Sequence, residues 1–147
     1  ESYKPKPIGK PRARNIALKD AGLTMRQVTQ MKVQLIRENG KVFYIVTFYQ
    51  KGPERFFYEY RIDGVSGEIL ERVRVETRGF ISPKEAKLAV LKHLGLRQNQ
   101  VRSMKVVLDA KVPCYVVTFR KKGEQKVYEY KVDPQGQILR EEPESGT

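Results

Sequence analysis

The stretch YEYRIDGVSGEIL at residues 58–70 returns as YEYKVDPQGQIL at residues 128–139. A chain that carries the same run twice must build the same local structure twice, and this repetition limits the fold more than any other feature. Tyr58, Tyr60 and Ile62 alternate with Glu59, Arg61 and Asp63, as Tyr128, Tyr130 and Val132 alternate with Glu129, Lys131 and Asp133. A period of two puts the aromatic residues on one face of a strand and the charges on the other. Asp133, Pro134 and Gly136 hold the first, second and fourth positions expected of a type I turn closed by a left-handed residue. The first copy has one more residue before Gly67. Each run therefore reads as a strand, a turn and the start of a second strand.

Outside the hairpins the repeat extends to a unit of roughly 60–70 residues, the size of one supersecondary module. ALKDAGL, MKVQL and YIVTF precede the first hairpin, and VLKHLGL, MKVVL and YVVTF precede the second. The segment carrying Arg37–Gly40 is two residues longer than its counterpart and is expected to be a longer loop. Each unit opens with a helix. Ser82 as N-cap, Pro83 at the first helical position and Glu85 as the third make a capping box, and Gly95 stops the helix. Ala86, Ala89, Val90 and Leu94 fall on one face. The first helix repeats that face as Ala13, Ile16, Ala17 and Ala21, stopped by Gly22, with Gly9 where the second has its serine.

The expected fold class is α+β: two tandem repeats, each one helix packed on a three- to four-stranded antiparallel β-meander. The expected boundaries are an extended basic arm at 1–7, a first repeat at 8–77, a second at 80–142 and a tail at 143–147. Pairing the two sheets edge to edge would hide two open edges, and is expected on that ground.

This order of elements resembles the PepSY domain, found in propeptides of thermolysin-like metallopeptidases and in a spore-germination protein of bacilli. The positions that carry the resemblance are Tyr58, Tyr60, Asp63, Gly67 and Ile69, then Tyr128, Tyr130, Asp133, Gly136 and Ile138. The resemblance implies an exported, non-catalytic bacterial module that inhibits, restrains or chaperones a peptidase. It implies an extracellular or cell-envelope location, with a signal or anchor expected to have preceded Glu1. The motif residues Tyr58, Tyr60, Asp63, Gly67, Tyr128, Tyr130, Asp133 and Gly136 are read as structural, with both aspartates capping their turns.

Residue chemistry gives an enzyme little to work with. His93 is the only histidine and Cys114 the only cysteine. His93 reads as a boundary residue of the second helix, since no nucleophile is paired with it in sequence. Cys114 reads as a packing residue at a strand start. No catalytic residue, metal site or cofactor is expected. A Gly-x-x-Gly spacing at Gly64–Gly67 joins two strands rather than two helices, and the glycine-aromatic signature of an RNA-binding sheet is missing. Nucleic acid is not an expected partner.

Two features point to partners. The formal charge of +12 reads either as a solvated surface or as a site for an anionic envelope polymer or membrane surface. Its densest run is Lys4, Lys6, Lys10, Arg12 and Arg14, in a proline-rich segment expected to be an extended arm. No apolar run approaches the roughly 18 residues of a membrane span. On the sheet face away from the helix, the first unit places Phe43, Ile45, Tyr49 and Phe57 where the second has Cys114, Val116, Arg120 and Val127. These four form either a partner-binding patch or a surface buried between units or chains.

Overall fold

The structure, a computed structural model, describes residues 6–52 and 55–143, with side chains placed up to Leu139 apart from the two residues at 53 and 54. The chain divides into two compact units that meet between Arg78 and Gly79. Among the described residues each contains one α-helix, one short 3₁₀ turn and one four-stranded antiparallel sheet. In the first unit, α1 (Lys10–Ala21) is followed by β1 (Val28–Glu38), β2 (Lys41–Gln50), β3 (Phe56–Asp63) and β4 (Ile69–Glu76). In the second, α2 (Pro83–Leu94) is followed by β5 (Val101–Asp109), β6 (Cys114–Lys121), β7 (Tyr128–Val132) and β8 (Ile138–Pro143). The strand orders are β1-β2-β3-β4 in the first unit and β5-β6-β7-β8 in the second. Each meander is covered by the helix of its own unit.

Helix starts and stops follow local chemistry. The Ser82 hydroxyl accepts from the Glu85 amide at 3.1 Å while the Glu85 carboxylate accepts from the Ser82 amide at 2.7 Å. Gly9 has no side chain to cap with, and its amide donates to the Tyr44 hydroxyl at 2.9 Å instead. Gly22 and Gly95 end the helices in the left-handed region, with their amides turned back to the last-turn carbonyls. The buried helical residues are Ala13, Ala17 and Leu18 in α1 and Ala86, Val90 and Leu91 in α2. The expected faces are thus rotated slightly: Ile16 and Ala89 are not among the buried residues, and the leucines take their share. Alanines at the closest approach let each helix sit low on a sheet of large rings.

Those rings form a stack beneath the helix. Phe48 and Tyr58 are ladder partners with centroids 5.0 Å apart and planes at 15°, and Tyr60 continues the stack at 6.4 Å from Tyr58. In the second unit Phe119 stacks with Tyr128 at 5.4 Å and with Tyr130 at 6.0 Å. Tyr44, Tyr60, Tyr115, Phe48 and Phe119 are almost wholly buried. Their hydroxyls find partners at the rim, as buried tyrosines require: Tyr115 donates to the Ile81 carbonyl at 2.5 Å and Tyr60 to Asp20 at 2.9 Å.

The segment at Arg37–Gly40 is not a longer loop. Asn39 and Gly40 form a two-residue turn with positive φ at both, the geometry that suits a right-twisted hairpin. The two extra residues lengthen β1 and β2, while β5 and β6 are joined by four residues, 110–113.

The β3–β4 and β7–β8 turns are built alike. The Asp63 carboxylate accepts from the Val65 and Ser66 amides at 2.8 Å, and the Asp133 carboxylate from the Gln135 and Gln137 amides at 2.9 Å. Gly67 and Gly136 take φ of 80° and 98° and donate back to the Asp63 and Asp133 carbonyls. Each turn also holds the chain before the helix: the Ile8 amide donates to the Gly64 carbonyl and the Ile81 amide to the Pro134 carbonyl, both at 2.8 Å. Gly64 lies so close to β2 that a Cβ there would stand 2.8 Å from the Val42 carbonyl oxygen.

Substituting Gly136→Val should cost about 1–3 kcal/mol, because a β-branched residue is strained at positive φ. Gly64→Ala should lose a similar amount, about 1–3 kcal/mol, by forcing β2 and the turn apart. Thermal melts of both variants measure this; unchanged midpoints would contradict the geometry. Acid adds a second test. The two backbone amides hold the Asp63 carboxyl below its usual range in the fold. A carboxylate whose folded pKa is depressed adds stability that is complete above its unfolded pKa, about 3.9, and is lost as pH falls through the folded value. Denaturant titrations from pH 6 to pH 2 (about four units around that value) should therefore show the stability gap between wild type and Asp63→Asn closing as pH falls.

Candidate partner-binding face

Strand alternation gives the first unit's sheet one face under α1 and one face away from it. On the far face β2 contributes Phe43, Ile45, Thr47 and Tyr49, opposite Asp63, Arg61, Glu59 and Phe57 of β3. The register of β3 with β4 shifts between Arg61 and Ile62, where a bulge changes which side β4 presents. Val73 and Val75 consequently stand beside Glu59 and Phe57 on the far face, whereas Arg72 and Arg74 stand beside Tyr60 and Tyr58 on the helix face. Strand periodicity alone placed neither valine there.

The four predicted residues do lie together on this face, but not as an open patch. Phe43 and Phe57 are only 9% and 5% exposed, while Ile45 and Tyr49 are half-buried. The Arg61 guanidinium lies 4.2 Å above the Phe43 ring, a cation–π contact that covers it. The Tyr49 and Phe57 rings tilt against each other at 57° with centroids 4.8 Å apart. Ile45, Tyr49 and the Arg61 guanidinium are thus presented on the face beside Thr47, Glu59, Val73 and Val75, with the two phenylalanines seated below.

The predicted basic cluster is placed differently from the expectation. Lys4 lies outside the described residues, and Lys6 is exposed in coil. Lys10, Arg12 and Arg14 are not in an extended arm, because they occupy the opening turns of α1. Pro11 is tolerated there, where its missing amide has no helical partner to lose. No acidic residue accompanies them in the first turn, and Arg14 makes a 3.3 Å hydrogen bond to Asn15.

The motif residues serve the core and turns. Tyr58, Tyr60 and Tyr130 are buried and Tyr128 half-buried. Asp63, Gly67, Asp133 and Gly136 shape the turns described above. His93 is exposed, with its ring edge-on to Tyr130 at 6.1 Å. Cys114 is buried, and burial pushes its thiol pKa up, away from nucleophilic reactivity.

Sequence reading missed one polar cluster. Arg72 reaches from β4 to the end of α1 and contacts both Asp20 oxygens, at 2.7 and 3.0 Å, while Tyr60 donates to the same carboxylate. Burial first, and then that hydrogen bond, drives the Tyr60 pKa upward. Asp20 also lines a groove of about 450 Å³ with Ile16, Lys19 and Ile69. No helix among the described residues is long and apolar enough to cross a membrane, and no cluster of three or more His, Cys, Asp or Glu among them could hold a metal.

An uncharacterized protein, Spy1430, of Streptococcus pyogenes serotype M6 is 37% identical over 65 residues, which are 44% of this chain and 48% of that protein. The match thus spans about half the length of this relative. A crystal structure of a "putative lipoprotein" from Clostridium difficile 630 aligns over 98% of this chain and 96% of its own, at 20% identity and a TM-score of 0.37. Residues 7–73 match the family described as peptidase propeptide and YPEB domain, PepSY. That span runs from the segment before α1 into β4 and contains both the aspartate-capped turn and the far face of the sheet. The second unit builds the same order of elements again, outside the matched residues.

Proposed function

We propose that this protein is a non-catalytic exported module that restrains or chaperones a peptidase, with residues 8–77 and 80–142 as its two PepSY-like repeats. The observation that carries the reading is the PepSY match at residues 7–73, a domain described from peptidase propeptides. The first unit's far face supports it. Ile45 and Tyr49 stand over the buried Phe43 and Phe57, and aromatic anchors on a firm base dominate the energetics of protein interfaces. An extracellular or envelope location follows from the same reading, because the peptidases concerned act there.

A second reading has its own observation. Lys10, Arg12 and Arg14 crowd the first turns of α1, where the helix dipole disfavours cations. Cations kept there without acidic neighbours suit an anionic envelope polymer or membrane surface.

Affinity for a thermolysin-like metallopeptidase and for an anionic polymer, measured across roughly 50–500 mM salt, separates the two. Tyr49→Arg, which installs the second unit's residue, should weaken peptidase binding about 30-fold, as expected for an anchor of about 2 kcal/mol. Ile45→Lys should do likewise, without touching the buried phenylalanines. Polymer binding should survive both changes. Undiminished peptidase inhibition by folded Tyr49→Arg and Ile45→Lys proteins would exclude this face. Salt-sensitive polymer binding alone, lost on neutralising Lys6, Lys10, Arg12 and Arg14, would establish the second reading.

A further inference from the structure

The two units differ most where the first has its tilted ring pair. Tyr49 and Phe57 are ladder partners that fill the far face between β2 and β3. Their counterparts are Arg120 and Val127, and the smaller valine leaves space. The second unit has a pocket of about 200 Å³ there, lined by Ser103, Lys105, Thr118, Phe119, Arg120 and Val127. Liquid water occupies about 30 Å³ per molecule, so the pocket has room for one small acid group and a few waters.

Its lining is suited to an anion. The register of β5 with β6 shifts between Arg102 and Lys105, and Ser103 within this bulge takes a φ of 55°. Ser103 and Lys105, two residues apart on the strand, line the same pocket. Thr118, the ladder partner of Lys105, adds a second hydroxyl. The Arg120 Nε is buried and has no hydrogen-bond partner among the described residues. A buried donor without an acceptor costs its full desolvation penalty, so Arg120 gains by turning its guanidinium toward an acceptor held in the pocket it lines. The ladder also sets Glu129 opposite Thr118. Arg102 stands opposite Arg120, with its guanidinium donating to the Glu124 carbonyl. The one buried donor that the lining leaves without a partner among the described residues is thus the Arg120 Nε, a demand that the oxygens of a single carboxylate meet.

We propose that this pocket is an anion site that takes one carboxylate, either an acidic side group or the terminal carboxylate of a bound polypeptide. It stands apart from the peptidase reading, since it lies in the second unit and uses none of the far-face residues of the first.

The test is an NMR titration of the full ¹⁵N-labelled protein, following backbone amides and the Arg120 Nε–H. Three probes are added, up to about 100 mM to reach millimolar affinities. They are N-acetyl-glutamate N′-methylamide, whose one carboxylate is on its side group, N-acetyl-glycine, with only a terminal one, and inorganic phosphate. Saturable movement of the Arg120 Nε–H and of the Ser103 and Thr118 amides with a carboxylate probe is expected, and the tighter of the two identifies the source. Arg120→Gln should raise the Kd at least about tenfold, the loss of one charge-assisted bond. Arg120→Tyr combined with Val127→Phe should rebuild the ring pair and abolish binding. If that double variant does not fold, Arg120→Gln decides. The proposal is overturned by no saturable movement, by an unchanged Kd in Arg120→Gln, or by phosphate binding more tightly than both carboxylates.

Discussion

The turn capped by an aspartate is the constraint on which each unit depends. One carboxylate engages two turn amides, and the carbonyl that follows it, on Gly64 or Pro134, receives the amide of Ile8 or Ile81. That bond fixes where the helix begins relative to a turn more than fifty residues away in sequence. The core tyrosine of the second strand completes the hold, Tyr44 on Gly9 and Tyr115 on Ile81. With its start held at this corner, the helix lies across the stacked rings, and its alanines allow the close approach. Neither helix is long enough to be stable alone in water, so both depend on this packing.

The same frame carries different chemistry in its two copies. At the end of α1, Asp20 joins Tyr60 and Arg72, and in α2 the equivalent residue is His93, edge-on to Tyr130. The ladder places Arg72 opposite Tyr60 in the first unit. On the far face an aromatic pair gives way to an arginine and a valine. The core residues and turn aspartates match, while the surfaces have diverged. That is the pattern expected when packing constrains the interior and binding sets the exterior.

Much of the frame was legible in the sequence because its causes are local. Ser82, Pro83, Glu85 and Gly95 act within one helix, and Asp133 and Gly136 act within one turn. Period-two alternation places Tyr44, Val46 and Phe48 on one face without reference to anything distant. Phe43, Ile45, Tyr49 and Phe57 share a face for the same local reason. Their exposure was not legible, because the cover on Phe43 comes from Arg61 on a neighbouring strand.

What the sequence determined by itself was the repeat, the order of its elements and the faces of its strands, since each follows from backbone periodicity and short-range capping. The tertiary structure decided the rest. It made the extra residues at Arg37–Gly40 into longer strands around a two-residue turn, and drew Lys10, Arg12 and Arg14 into a helix. It moved Val73 and Val75 to the far face through a bulge, and joined Asp20 to Arg72 across fifty-two positions. It also left the Arg120 Nε buried without a partner among the described residues. The helix at Lys10–Ala21 depends on the sheet it packs against. The other features depend on which strand lies beside which and on where register slips, neither of which side-chain periodicity along a single strand encodes.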